Sequence, residues 1–486
     1  VKENKDVVHG YLREEVAFGS MAGPFKEPPI PNLHRNKINL IPKSIDPADE
    51  ASLPVARTDA FRLIVDLSAP RDRSVNAGIP DSAACVSYGK LATILEELVV
   101  RGPSTLLSKI DFSRAYRQIP VSEADRRLLG VFFEGAWFVD LTLPFGGRSC
   151  ARIFNTVADL AAFAFSKEAP SAFLQHYLDD FALLSGSPEG AKAEFQAILA
   201  CAKALGIPLS AGKLQPPGPT ITFLGFVIDA PSLTVAVPDS KRLKYAKEAR
   251  ALAARKHASQ EELLSIAGKL MHVAEVLPQG KPFIRNLFNR AHSVRRKHHK
   301  INLGRAERDD LSWWAVTLDT WVGVSLLCRG EWTPQVEFFA DASGSIGMGM
   351  LWGERWCAEF WPSFPGRATN IAILEMVPLI LAAEIWGSEW RGKKILFRSD
   401  NMAVVHAVNG WLPRDPHLVS LLKRLARMAI LQCFHIRCLH VRGVDNVDAD
   451  LLSRDRLEEF TARHSNLNLA RVRVAQVRII TLLTPP

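Results

Sequence analysis

At 486 residues the chain is long for one domain and suggests roughly three, and its 48% apolar content can supply sizeable cores. No run of about 18 uncharged apolar residues appears, which argues against a helical membrane span, and the seven scattered cysteines, with no CxxC pair, fit a reduced compartment and give no zinc or disulfide framework. The formal charge of +9 suits a polyanionic partner, because each neutralised phosphate releases counterions. Val1–Gly10 is charged and lacks the apolar region of a signal peptide. The expected location is therefore intracellular, cytoplasmic or nuclear or both, without secretion. The start at valine points to a fragment or a segment of a polyprotein.

Residues 1–60 are rich in proline and charge and read as an irregular lead-in. From Phe61 strands and helices alternate: Phe61–Leu67, Leu106–Asp111, Trp137–Leu141 and Phe173–Leu184 read as strand, Ala151–Lys167 and Pro188–Leu205 as helix. Ile221–Asp229 and Ser232–Val237 read as a hairpin across an Ala-Pro turn. Residues 239–335 then turn helical, over Ser240–Arg255, Ser259–Val276, Lys281–Arg290 and Arg305–Val322. Within them Arg285–Lys300 is strongly basic, either a solvated linker face or a surface that tracks a nucleic-acid backbone. At Val336 strands return (Val336–Asp341, Gly347–Trp352, Arg355–Phe360), followed by a helix at Ile371–Trp386 and strands at Lys394–Ser399 and Cys433–Val441. That pattern indicates a separate α/β domain over 336–455. Residues 456–486 show no clear period and are left unassigned.

Two groups of acids carry the chemistry. Tyr177-Leu178-Asp179-Asp180 lies between apolar runs, where adjacent aspartates are costly unless they occupy a turn or bind a cation. Lys109-Ile110-Asp111-Phe112 ends an apolar strand with another acid, Tyr116 follows five residues on, and Phe223-Leu224-Gly225-Phe226 opens a tight hairpin. In this order the residues resemble the retroelement reverse transcriptases. Asp111 with Tyr116 is similar to their first palm motif and Tyr177–Asp180 to their Tyr-x-Asp-Asp motif. Leu143-Pro144-Phe145-Gly146 is similar to the loop that positions template and nucleotide, Phe61–Asp66 to a finger strand, and Leu224-Gly225 to the primer grip.

The resemblance implies an α+β polymerase right hand: fingers and palm over 61–238, a helical thumb and connection over 239–335. It implies two Mg²⁺, or Mn²⁺, on carboxylate oxygens, with Asp111 and Asp179 as principal ligands and Asp180 beside them. Arg62 would pair with the triphosphate, Tyr116 would exclude a 2′-hydroxyl or else be a core tyrosine, and Phe145 and Gly146 would lie in the loop that positions template and nucleotide. Lys213 either protonates pyrophosphate or sits on the surface. One stretch departs from the pattern: Gly147-Arg148-Ser149-Cys150-Ala151 lacks the family's proline and gains a glycine, which is expected to loosen the loop.

The second group is Asp341 at the end of Phe338–Asp341, Glu375 opening an apolar helix, Asp400 after Ile395–Ser399, and Asp450 in Asp450–Arg454. Any one of them alone is an ordinary cap or turn residue. In the order Asp, Glu, Asp, Asp they resemble the ribonuclease H family, carried by Asp341-Ala-Ser-Gly, Ser399-Asp400-Asn401 and Asn446-x-x-x-Asp450. The resemblance implies a ribonuclease H-like α/β domain in which all four acids hold two Mg²⁺ for cleavage of RNA in a hybrid. His440 matches a loop histidine that assists product release or proton transfer in some members; a structural residue at a strand end is the other reading. Glu262–Leu270, Trp313-Trp314, Glu375–Pro378 and Ala449–Arg454 are similar to DIRS-like retrotransposons, with gypsy-type or pararetroviral origin as the alternative. The implied partners are RNA template, DNA primer, RNA–DNA hybrid and deoxynucleoside triphosphates, with a separately encoded tyrosine recombinase and no membrane. Two competing functions stay open: a nucleic-acid-binding remnant impaired at Gly147–Ala151, and a nuclease with a vestigial polymerase.

Overall fold

Of the lead-in expected to be irregular, residues 4–42 instead hold a helix, α1 (Lys5–Ala17), and two strands, β1 (Met21–Phe25) and β2 (Arg35–Pro42), while 43–60 lie outside the described residues. Val7, Val8 and Leu12 give α1 one buried face. The prolines mislead because Pro24 sits in an edge strand and Pro42 is the last residue of β2, positions that tolerate a missing ladder donor. The computed structural model describes residues 4–42, 61–294, 299–326, 334–465 and 468–485. Two compact units divide the chain, 1–240 and 241–486.

In the first unit β3 (Phe61–Asp66), α2 (Leu91–Arg101), β4 (Leu106–Asp111), the one-turn α3 (Glu123–Arg126), β5 (Gly130–Phe133) and β6 (Ala136–Asp140) follow. One sheet has the order β1-β6-β5-β2-β3. Then come α4 (Cys150–Glu168), β7 (Phe173–Tyr177), β8 (Asp180–Ser185), α5 (Pro188–Ala204) and β9 (Gln215–Gly218). The second sheet, β7-β8-β4-β9, packs its apolar face on α4 and α5, with Ile110, Phe112, Phe154, Phe165, Phe181 and Phe195 in the shared core. Burying a phenylalanine of this kind contributes about 1.5–3 kcal/mol, so this core fixes β4 and β8 firmly. β10 (Thr220–Phe223), β11 (Phe226–Asp229) and β12 (Thr234–Ala236) form an antiparallel meander. The single strand expected over Ile221–Asp229 is thus broken at Leu224-Gly225, where both residues have positive φ.

The second unit begins with α6 (Asp239–Ala253), β13 (His257–Ser259), α7 (Gln260–Val273), α8 (Arg285–His292), β14 (Lys300–Asn302), α9 (Arg305–Thr320) and β15 (Val324–Leu326). Ser259 and Glu262 cap α7 reciprocally, which fixes where that helix starts. β16 (Val336–Ala342), β17 (Gly347–Trp352), β18 (Arg355–Phe360), α10 (Ile371–Trp386), β19 (Lys394–Ser399), α11 (Met402–Gly410), α12 (Pro416–Gln432), β20 (His435–His440) and α13 (Val447–Ser453) complete a mixed sheet with helices. β16 is central, antiparallel to β17 and parallel to β19, which is parallel to β20.

The tail left unassigned carries regular elements over its described residues, 456–465 and 468–485. α14 (Leu457–Arg463) packs Phe460 on Trp356, and β21 (Ala470–Arg471) extends the sheet beside β18, giving the order β20-β19-β16-β17-β18-β21. α15 (Gln476–Leu483) buries Ile479, Leu482 and Leu483, and His417 hydrogen-bonds the Leu482 carbonyl at 2.6 Å. These pieces are too short to show a period, so only their packing partners define them. Among the described residues no helix is long and apolar enough to cross a membrane.

Candidate active sites

Asp111 ends β4, and in the antiparallel ladder with β8 it stands directly opposite Asp180. Between β7 and β8 lies a two-residue turn, Leu178-Asp179, with Leu178 at φ +54°. The Asp179 carbonyl accepts from Phe112 N–H at 3.1 Å, which fixes the turn against the end of β4. Three aspartates therefore lie at the same end of the two central strands, β4 and β8. Burial raises the pKa of Asp179, with the charge of Asp111 adding to it. Burial pushes Asp180 up to about 6, against the pull of Lys109. Lys109 Nζ lies 2.9 Å from Asp180 Oδ1, and Lys213 Nζ lies 3.0 and 3.2 Å from the two oxygens of Asp111. Lys213 is thus tied to the site by its head group, although its side chain is 64% exposed.

Tyr116 meets Phe145 edge-on at 5.4 Å, and burial, then Tyr88 and Asp179, push its hydroxyl up to about 12. Tyr88, which sequence reasoning did not single out, stacks on Tyr177 at 4.7 Å. Gly146 has φ +110°, and a Cβ there would lie 2.6 Å from the Val65 carbonyl, so no other residue fits without displacement. Arg62 lies in β3, but its side chain is outside the described residues. Also missed was a buried ion-pair network at Tyr116: Glu15 of α1 holds Arg114 at 2.6 Å and Arg117 at 2.9 Å, and Arg117 holds Asp140 at 2.7 Å. A pair 99 or more positions apart in sequence leaves no local signal.

In the second unit Asp341 on β16, Glu375 on α10 and Asp400 after β19 bring carboxylate oxygens within 4.8 Å of one another. Among the described residues no other three acids, histidines or cysteines do so. Burial, then Asp341 and Asp400, pushes Glu375 up to about 9, and its Oε2 is buried without a hydrogen-bond partner. Burial also raises Asp341, against a hydrogen bond from Ser453. An oxygen-only donor set with an unpartnered buried carboxylate oxygen fits a hard divalent cation. Asp450 on α13 stands outside that trio, paired with Arg454 at 2.6 Å, yet near enough to raise Asp341. Asn446 is buried and donates to the Ala340 carbonyl at 3.0 Å, tying α13 to the strand of Asp341. His440 is exposed at the end of β20, paired in register with Ser399.

Of the basic stretch 285–300, positions 295–298 lie outside the described residues. Arg285 donates to the Leu412 carbonyl at 2.7 Å and Arg290 to the Asn302 carbonyl at 2.8 Å.

Residues 58–228 match the profile of the family described as reverse transcriptase (RNA-dependent DNA polymerase). No curated protein matches the chain by sequence. Three similar solved structures are of a foamy viral protease-reverse transcriptase. One, in complex with double-stranded DNA, has 14% identity and a TM-score of 0.51, covering 90% of this chain and 70% of that one. A second, with an RNA/DNA hybrid, has 15% identity and a TM-score of 0.52, covering 91% of this chain and 54% of that one. The third, with double-stranded DNA, has 15% identity and a TM-score of 0.50, covering 90% and 83%. Identities this low speak to fold alone. Residues 58–228 are thus similar to a reverse transcriptase domain, and the chain shares the right-hand polymerase fold of retroviral reverse transcriptases.

Proposed function

We propose that the chain is an RNA-directed DNA polymerase that also cleaves the RNA of RNA–DNA hybrids, each activity with its own carboxylate site. The observation that carries the polymerase reading is the register of Asp111 opposite Asp180, with Asp179 at the intervening turn, within the residues that match the reverse transcriptase family. Asp111 and Asp179 would hold two Mg²⁺, or Mn²⁺, which when bound activate the primer 3′-hydroxyl and stabilise the leaving pyrophosphate. Tyr116 and Phe145 would shape the sugar pocket, Gly146 would let the backbone approach the nucleotide, and Arg62 would engage the triphosphate. Lys213, already at the Asp111 carboxylate, is placed to neutralise or protonate pyrophosphate.

For the nuclease, the supporting observations are the Asp341–Glu375–Asp400 trio and a sheet that pairs three antiparallel strands with two parallel ones around β16. Asp450 would complete the ligand set on releasing Arg454, and His440 would act at the product side. The partition proposed is fingers and palm over 61–238, thumb and connection over 239–335, and a ribonuclease H-like domain over 336–455, to which the described residues 4–42, 456–465 and 468–485 add regular elements. RNA template, DNA primer, hybrid and deoxynucleoside triphosphates are the partners this requires. The DIRS-like motifs support a retrotransposon origin beside a tyrosine recombinase, and an intracellular site of action.

The impaired-remnant reading rested on Gly147–Ala151. Against it, the Asn76 side chain bonds both Gly146 and Arg148, so the loop is not slack. Primer extension on an RNA template with Mg²⁺, alongside cleavage of a labelled hybrid, tests the proposal. Incorporation and cleavage are both expected; hybrid binding without incorporation would return the remnant reading.

A further inference from the structure

The loop beside the polymerase carboxylates carries two successive glycines, Gly146 and Gly147, and glycine pairs leave a backbone free unless something restrains it. The side chain that restrains this one on both sides of Gly147 is Asn76. Asn76 Nδ2 donates to the Gly146 carbonyl at 2.9 Å and to Ser68 Oγ at 2.8 Å, while Asn76 Oδ1 accepts from Arg148 N–H at 2.8 Å. The amide thus grips the loop on both sides of Gly147 and ties it to the segment after β3. Its own backbone is fixed by a hydrogen bond to the Leu67 carbonyl at 2.9 Å. Only an amide has two donors and an acceptor in this arrangement. Arg148 adds a second tie, donating to the Ile79 carbonyl at 3.0 Å and pairing with Asp81.

We propose that Asn76 is a positioning residue for nucleotide binding: its amide holds the Leu143–Gly146 loop against β3 so that Phe145 stays edge-on to Tyr116. This rests on the polymerase reading, but the loop also offers a reporter that does not. Cys150, 7% exposed, closes the loop through its N–H to the Gly147 carbonyl at 3.1 Å. Burial pushes its thiol up to about 11, so alkylation is slow while the loop is closed.

Asn76→Asp keeps the shape, removes both donors and sets a carboxylate against the Gly146 carbonyl. The expected result is a KM for deoxynucleotide raised about tenfold with kcat changed less than about threefold. Site-resolved mass spectrometry should show alkylation of Cys150 accelerated by about tenfold, with the melting temperature close to the parent's. Ser68→Ala, which removes one of the three bonds, should move both readouts about two- to threefold and serves if Asn76→Asp does not fold. Parent-like KM and Cys150 reactivity in the folded variant would overturn the clamp, as would Cys150 exposure that merely follows global unfolding. A parent chain that incorporates no nucleotide would instead remove the polymerase reading, and the Cys150 rates would still decide whether Asn76 holds the loop.

Discussion

The two carboxylate sites manage the same problem, several acids at one point, by opposite means. At the polymerase site lysines stand against the acids: Lys109 at Asp180 and Lys213 at Asp111. Among the described residues Asp341, Glu375 and Asp400 form no ion pair, the charge of Arg454 acting on Asp341 from outside pairing distance, and burial with its acidic neighbours pushes the pKa of Glu375 up to about 9, which favours its protonated form. A site with built-in counter-ions keeps its geometry before a metal arrives. A site that stores a proton must give it up when a metal binds. The difference predicts distinct responses to mutation, pH and chelation.

The largest effects come from deleting one ligand charge at a time. Asp179→Asn should lower nucleotide incorporation by about a thousandfold or more and spare hybrid cleavage, while Asp400→Asn should do the reverse. Gel assays of both activities on each variant read this directly. If one substitution removed both activities in a folded protein, two independent sites would be the wrong description.

Next in size is the proton stored on Glu375. Above its ordinary pKa of 4.5 the unfolded chain has lost that proton, while the folded chain keeps it until about pH 9. The folded state then binds more protons, so stability falls as pH rises between those values. In EDTA, the melting temperature of the second unit should therefore drop between pH 5 and pH 9, and Glu375→Gln should flatten the slope. Titration calorimetry with Mg²⁺ at pH 7, in buffers of different ionisation enthalpy, should show a proton released that Glu375→Gln abolishes. A pH-independent melting temperature in the parent would mean that the trio carries its charges unprotonated.

How much of this was legible in the sequence follows from the range of each interaction. Asp111 ends β4, Asp179 lies in the turn and Asp180 opens β8; each is a local feature, but that they share one site was implied by the resemblance of their motifs to reverse transcriptases. Within residues 61–238 the longer elements were readable, but Phe173–Leu184, expected as one strand, is β7 and β8 around Leu178-Asp179, and α2, β5 and β9 were not expected from the sequence. α1 was hidden because proline-rich neighbours masked a short amphipathic stretch, and its contribution, Glu15 against Arg114 and Arg117, joins residues about a hundred positions apart. The expected looseness at Gly147 failed similarly: composition showed the glycines, but the restraint comes from Asn76, seventy positions upstream of Gly146. Asp450 shows the converse limit, since order along the chain placed it with three other acids, whereas its side chain is turned to Arg454.

A smaller effect tests whether the polymerase lysines matter as counter-ions. The Lys109 side chain is 13% exposed, so Lys109→Met would leave Asp180 buried beside Asp111 without its cation, raising its pKa further. Incorporation at pH 7 should fall about tenfold and recover as pH rises, because the ionised form is the competent one. Asp180→Asn in the same background should remove that pH slope. Parent-like rates from pH 6 to 8 would mean that the pair is only structural.

The smallest change is expected at Lys213, and it separates two roles. With 64% of its side chain exposed, its pairing with Asp111 is screened and contributes about 1 kcal/mol or less, so Lys213→Met should barely move the melting temperature. As a counter-ion alone, Lys213 competes with the metal for Asp111. Its removal should then lower the Mg²⁺ concentration for half-maximal incorporation about two- to threefold while kcat holds. As a proton donor to pyrophosphate it would act on the chemical step, and kcat would fall more than tenfold with the Mg²⁺ dependence unchanged. The contact at 3.0 Å holds the ammonium on a ligand carboxylate rather than toward solvent, which favours the first outcome before metal binds. Single-turnover incorporation across a Mg²⁺ series distinguishes the two, and a drop in kcat would show that the lysine leaves Asp111 during the reaction.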